Sequence, residues 1–422
     1  MRIEAVAALA TLLVLAPCAA LAQAGGSSSG QGGQSAKSSD SSSGGKDQGG
    51  GEEHAEGIGD YPKLTFDTLF NLELSGLSPS NGGPGRGPTP YVRFDSTALL
   101  DISDSLSVDG LFQYKARKPR PDDDPNKDLF INQGADRQTG GKMKELYVRY
   151  DVWRFGKFVP DFGRAYNLLP GPFSADLIEE PEEGYEPSDM MGVEWLHVFK
   201  DESQGWRQLT LTAFMVDRTF LHRSFPYDEG MVHYKDGGVG NTRLPENLMA
   251  TWDVLNQPLG HGAQLTWQAS VIRYGKSYGE QRGEWWSTLN GDVAIPLQGS
   301  VASTLQNRYS QIHLYAEAVR RENFNGFAGR ARTWLTFSAE YLHGPWVYDL
   351  TTTQRWTTDR VDPTQTDRIY TASLGYNFER QLVATLSIAR EHVANREGVY
   401  AGLRFTKTVS LFSRSLVQGS AF

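Results

Sequence analysis

The chain has 422 residues, a formal net charge of −9 and 39% hydrophobic residues, with a mean hydropathy of −0.45. The acidic balance excludes nucleic acid as a partner, which needs a concentrated basic surface, and the low hydropathy excludes a bundle of membrane-spanning helices. A single cysteine, Cys18, excludes an internal disulfide.

In chain order, Arg2 gives a positive start blunted by Glu4, and Ala5 to Pro17 is apolar apart from Thr11. Ala20-Leu21-Ala22 before Gln23 has the small-residue pattern of a cleavage site, so residues 1–22 read as a signal peptide. A second reading of this segment takes Leu15-Ala16-Pro17-Cys18 as a lipoprotein box, to which proline before the cysteine is a poor match. Residues 23–59 are Gly, Ser, Gln, Asp and Lys with no large apolar residue until Ile58. Such a tract cannot bury enough surface to offset the entropy of ordering, so it is expected to be a disordered periplasmic tether. Within it, Gly26-Ser27-Ser28-Ser29-Gly30 has nucleophile-elbow spacing, but no strand precedes it and no helix follows.

From residue 60 to 422 the texture is period two. Leu64, Phe66, Thr68, Phe70 and Leu72 share one face; Thr65, Asp67, Asn71 and Glu73 share the other. The pattern returns through Val92 to Ile102, Leu106 to Tyr114, Leu248 to Val254, Ala263 to Val271 and Trp285 to Ile295. It returns again through Ile312 to Ala318, Thr333 to Tyr341, Ala372 to Phe378, Leu382 to Ile388 and Val399 to Phe405. A soluble sandwich shares this alternation. Aromatics near the ends of the apolar faces, segments near ten residues and charges on the polar faces favour an all-β transmembrane up-and-down barrel in the cell outer membrane. Connections alternate between short (Ser103-Asp104, Asn377 to Arg380, Asn256 to Gly262) and long (117–142, 160–189, 218–245, 358–367). The expected count is about 16 strands, within 14–18, which leaves an aqueous channel. The chain ends on Phe422, as barrel-assembly clients do, although Gln418 and Ser420 stand where apolar residues are usual.

Residues 143–195 stand apart. A strand at Glu145-Leu146-Tyr147-Val148-Arg149-Tyr150 leads to Phe155-Gly156-Lys157-Phe158-Val159-Pro160. An apolar stretch and then an acidic one, from Asp176 to Asp189, follow. Glu145, Tyr147, Val148, Tyr150, Gly156, Lys157, Phe158, Pro160, Phe162 and Gly163 resemble the region before the inward-folded loop of outer-membrane porins, nearest to the phosphate-selective porin family. The resemblance covers about twenty residues. It implies a homotrimer, a loop that narrows the channel, and anion preference through lumenal Lys and Arg. On this reading residues 160–189 fold inward, with Asp161, Arg164, Asp176, Glu179 and Glu180 at the constriction. Arg93, Lys115, Arg149 and Lys157 line the facing wall and set a transverse field. The alternative for 160–189 is an exposed, solvated loop. The run Lys115 to Arg120 and its neighbours Asp122 to Asp124 read as a solvated loop, with lipopolysaccharide phosphates as the other option.

An enzyme is not expected. The eight histidines include no His-x-x-x-His pair with Glu, so no metal site is indicated, and no cofactor motif is present. His222 and Ser224 have the spacing of outer-membrane phospholipases but lie in a long loop with no orienting partner. The expected function is passive diffusion of small hydrophilic solutes or ions, with outer-membrane lipid and lipopolysaccharide as surroundings. The alternative is an occluded barrel with a binding or anchoring role. A polymer exporter would need a lumen lined with one charge sign, which the mixed polar faces do not provide.

Overall fold

The structure is a computed structural model that describes residues 62–79, 86–117, 140–163, 185–201, 205–225, 231–297, 310–358, 365–378, 382–393 and 396–415. The expectations for residues 1–22 and 23–59, the basic run beyond Arg117 and the terminal Phe422 lie outside the described residues. The strands are β1 (Lys63–Pro79), β2 (Arg86–Ser103), β3 (Leu106–Arg117), β4 (Gly140–Tyr150), β5 (Trp153–Phe158) and β6 (Met190–Asp201). Next come β7 (Gly205–Val216), the two-residue β8 (Ser224–Phe225), β9 (Asn247–Gly260), β10 (Ala263–Arg273), β11 (Trp285–Pro296) and β12 (Ser310–Glu322). The last are β13 (Ala331–His343), β14 (Trp346–Thr358), β15 (Gln365–Phe378), β16 (Leu382–Val393) and β17 (Arg396–Ser415).

Neighbours in sequence pair antiparallel, and β1 pairs with both β2 and β17, so the sheet closes on itself. β7 pairs directly with β9, leaving β8 to bridge Gly141 and Lys142 of β4. The wall is therefore a closed sixteen-stranded antiparallel barrel, as the alternation predicts, and closure leaves no edge unpaired.

The two faces have opposite chemistry. On β16, Leu386 and Ile388 are 53% and 56% exposed, whereas Ser387 and Glu391 are each 1% exposed. Across the barrel the exposed face carries Leu72, Phe112, Val148, Leu211, Val271, Leu314, Leu350 and Leu403, and the enclosed face carries Thr, Ser, Asn, Gln, Asp and Glu. Phe94 sits between Phe70 and Tyr114 on the outside, with ring centroids 4.9 and 6.0 Å away. At the rim with short turns, Trp153 stacks near Phe155, Trp195 stacks on His197, and Trp346, Tyr376 and Phe378 form a run.

One rim has tight turns. Tyr150 pairs with Trp153 across Asp151-Val152, and Ser103 with Leu106. Gly260 pairs with Ala263 across His261 and Gly262, both at positive φ (52° and 78°), as a type I′ turn requires. The connection expected over Asn256 to Gly262 is thus shorter than its composition suggested. β9 continues to Gly260 through a register shift near Asn256, whose φ is 55°. The long connections expected after β3, β5, β7 and β14 lie on the opposite rim, and that after β14 is shorter than the expected 358–367, because β14 runs to Thr358 and β15 begins at Gln365.

β5, the shortest wall strand apart from the β8 bridge, starts the most distinctive local feature. Gly156 lies opposite Gly192 of β6. At Gly156 φ is 133°, and a Cβ would lie 2.5 Å from the Leu146 carbonyl oxygen. A side chain there would force β4 and β5 apart two residues before the end of β5.

Candidate functional site

The site is the enclosed face of the barrel and the described ends of the β5–β6 connection that pack against it. Leaving β5, Val159 donates its N–H to Glu145 Oε1 at 3.3 Å. The chain then reaches the wall built by β9 to β13. The Asp161 carbonyl accepts from Thr251 Oγ1 at 3.1 Å, and the Phe162 ring packs 5.8 Å from Trp286 of β11. Gly163, at φ 75°, lies against Glu317 and Tyr185 with no room for a side chain. At the other described end of this connection, Tyr185 donates its hydroxyl to Glu317 Oε2 at 2.9 Å and packs edge-on to Trp334 of β13.

These rings belong to one buried cluster: Phe162, Tyr185, Met190, Phe214, Met249, Ile272, Tyr274, Trp286, Val319 and Trp334. It is an apolar core inside an otherwise polar interior. Phe162 and Tyr185 are the two members contributed by the segment between β5 and β6, so burying them holds the described ends of that segment against the wall.

A charged anchor lies on the β4 and β5 side. Lys157 is fully enclosed, with Nζ 3.1 Å from Asp189 Oδ1 and 3.1 Å from Asp217 Oδ2, and it donates to the Leu221 carbonyl at 3.0 Å. Lys142 donates to Asp189 Oδ2 at 2.6 Å. Burial alone would raise the Asp189 carboxyl, but Lys142, Lys144 and Lys157 hold it well below the usual carboxylate range. Burial, helped by Lys142, pushes the neighbouring His222 imidazole down. Alongside, Arg154 pairs with Glu194 at 2.6 Å and lies over the rings of Tyr147 and Phe158.

Towards the long-connection rim, arginine and aromatic side chains interleave. Arg321 pairs with Glu284 at 3.0 Å and stacks 4.0 Å over Trp286. Arg332 lies 3.9 Å over Phe324 and donates to Thr357 Oγ1, and Arg355 pairs with Asp367 at 2.8 Å.

The expected wall cations divide into two kinds. Arg93 donates to Asp95 at 2.7 Å and stands opposite Asn71 and Lys115 in register. Arg149 donates to Ser107 at 3.2 Å and lies 3.4 Å from Asp109. These three are partly accessible on the inward face of β2 to β4. Lys157 is different: its charge is locked into the anchor and does not meet water. Of the expected constriction residues, Asp161 lies in the turn against Thr251, and Arg164, Asp176, Glu179 and Glu180 lie outside the described residues. Sequence reasoning missed Tyr185, Phe214, Trp286 and Trp334 as inward-facing anchors, Glu317 as the acceptor for Tyr185, and Asp217 as a partner of Lys157. A bulky ring on an otherwise polar face was the available signal, as at Trp334 in the inward series Arg332, Thr336, Ser338 and Glu340. His222 and Ser224 flank the anchor, and His222 Nδ1 is buried without a hydrogen-bond partner.

No family model matches the chain, and no curated protein sequence matches it. Among solved structures, it is similar to OmpF of Salmonella typhi in complex with daunomycin. The TM-score is 0.50 at 11% identity, covering 82% of this chain and 98% of that one. Looser similarity extends to the outer membrane channel DcaP of Acinetobacter baumannii (TM-score 0.47, 11% identity, 82% and 96% covered). It also extends to an anion-selective porin from Comamonas acidovorans (TM-score 0.46, 8% identity, 82% and 99% covered). At these identities the likeness is one of fold.

Proposed function

We propose that this chain is an outer-membrane porin that lets small hydrophilic solutes or ions diffuse through a water-filled channel. The observation that carries the reading is the reversed polarity of a closed ring: apolar side chains outside, polar and charged ones inside. Only a helix or a closed barrel satisfies every backbone group in a lipid bilayer, and no helix among the described residues is long and apolar enough to cross one. The aromatic run at the short-turn rim suits a membrane interface, and sixteen strands enclose enough space for water.

On this proposal residues 160–189 fold inward and narrow the channel. The contacts of Asp161, Phe162 and Tyr185 with β9 to β13 support that course. Arg164, Asp176, Glu179 and Glu180 would then face the channel together with Asp161, opposite Arg93, Lys115 and Arg149. The resemblance to phosphate-selective porins supports a homotrimer and anion preference; the acidic 176–189 stretch pulls selectivity the other way. Lipid and lipopolysaccharide would cover the outer face, with residues 23–59 as a periplasmic tether.

The test is planar-bilayer recording of the purified full chain across a salt gradient. Discrete conductance steps are expected, and the reversal potential gives the sign of the preferred ion. A folded barrel that inserts yet passes no current would defeat the channel reading and favour an occluded barrel, whose plug would be the Phe162 and Tyr185 cluster.

A further inference from the structure

On the outside of β15 to β17 the apolar band gives way to a cationic patch beside the long-connection rim. The outward series of β16 runs Leu386, Ile388, Arg390, His392, so hydrocarbon changes to cation within one strand. β15 places Arg368 and Tyr370 at the same level, and β17 places Glu397 there, just above Val399. The register sets Arg368 opposite His392, Tyr370 opposite Arg390, and His392 opposite Glu397. Arg368 and Arg390 are therefore diagonal neighbours on one face, with Cβ atoms roughly 7 Å apart. Together with Thr366 these side chains line an outward cleft of about 470 Å³.

The charges on this face do not balance. Arg390 Nη2 donates to Glu397 Oε2 at 2.9 Å, and His392 Nδ1 lies 3.7 Å from Glu397 Oε1. The Arg390 side chain is still 66% exposed. Arg368 is exposed and makes no ion pair or side-chain hydrogen bond among the described residues. Two guanidiniums against one carboxylate leave positive charge and most of their N–H donors open to a ligand. One phosphate group takes paired hydrogen bonds from each of two such neighbours. Directly below the patch, Leu386, Ile388 and Val399 are about half exposed, at 53%, 56% and 48%. A soluble anion would use only the cationic level. A phosphate carried on acyl chains would use both levels, with Tyr370 at the boundary between them.

We propose that Arg368 and Arg390, flanked by Tyr370 and His392, dock the phosphate of the lipid anchor of lipopolysaccharide, whose acyl chains lie on Leu386, Ile388 and Val399. The site rests on the outer-membrane reading, in which the long connections face the outside of the cell and the patch meets the outer leaflet.

The experiment is native mass spectrometry of the detergent-solubilised full chain titrated with bisphosphorylated lipid A, with the same preparations recorded in bilayers. A saturable lipid adduct is expected. It should be weaker by about tenfold or more with dephosphorylated lipid A, and by a similar factor in R368Q/R390Q, since charge-assisted hydrogen bonds are lost. The comparator is R273Q/R320Q. It removes the same charge from exposed positions at the long-connection ends of β10 and β12, and its binding should stay within about twofold of the parent. If R368Q/R390Q does not give a folded, heat-modifiable barrel, R368Q alone serves, with weakening of about threefold or more. Equal binding of the two lipids, or equal weakening in R368Q/R390Q and R273Q/R320Q, would overturn the proposal. Displacement of the lipid by an equal concentration of inorganic phosphate would assign the patch to a soluble anion and overturn it as well. A conducting barrel that does not distinguish the two lipids removes the docking site and leaves the channel. A barrel that holds phosphorylated lipid A but passes no current removes the channel and leaves the docking site.

Discussion

At the scale of single residues, Lys157 has the most to say about how the interior is held. Its ammonium group sits between Asp189, just before β6, and Asp217, just after β7, and reaches the Leu221 carbonyl. Removing it leaves Asp217 without its lysine and Asp189 with Lys142 and Lys144, and breaking a buried pair from one side costs about 3–5 kcal/mol. K157M is therefore expected to free the segment between β5 and β6 before it melts the barrel. Limited proteolysis between Gly163 and Tyr185 should speed up while heat-modifiable mobility stays unchanged. Retained protease resistance would count against the anchor. The pH dependence follows from Asp189. Its carboxyl lies below its ordinary value in the folded chain, so its contribution is fully present above the unfolded value of about 4. That contribution is lost only as pH falls through the lower folded value. Protease resistance of the segment should hold from pH 7 to pH 4 and fail only well below that. Failure between pH 6 and 5 would point to a different group.

At the scale of elements, the wall around β5 depends on how closely it and its neighbours approach. A Cβ on Gly192 would lie 2.2 Å from the Ala213 carbonyl oxygen, so G192V should separate β6 from β7 and lower the yield of folded barrel, read as heat-modifiable mobility. On the outer face, L386R places a guanidinium where Leu386 is exposed, and a charge at mid-membrane costs about 2–4 kcal/mol. The effect should appear in lipid bilayers and shrink in detergent micelles. Strand existence was largely readable because the outside follows a simple rule: β1, β10, β12 and β16 each place apolar side chains at alternate positions. β7 and β14 hid from that rule for physical reasons. β7 turns Phe214 inward after Gln208, Thr210 and Thr212. β14 carries Thr352 and Gln354 on the face it shares with Leu350. The interior was less readable still, because Trp286 and Trp334 look like outward residues unless their strand parity is known.

At the scale of the whole molecule, the ring encloses unlike sectors. β2 to β4 present Arg93, Lys115 and Arg149 inward beside Asp95 and Asp109, and β9 to β14 present Asp253, Asp292, Glu317, Glu340 and Asp349 beside Arg321 and Arg355. In the channel proposed above, the balance of these inward charges sets the ion preference. Neutralising the acidic wall with E317Q should shift the reversal potential toward anions. The direction of that shift is the measurement, and no shift would mean that Glu317, hydrogen-bonded to Tyr185, does not face the permeation path.

The shared cluster of Phe162 and Tyr185 with Trp286 and Trp334 also constrains the order of assembly. The receptacle for the two rings is built from β7 and β9 to β13, strands made after the segment that must enter it. The segment therefore has nowhere to dock until the later half of the sheet has formed. Ring closure and docking become separable kinetic events, the second reporting through indole emission after electrophoretic mobility has already become native.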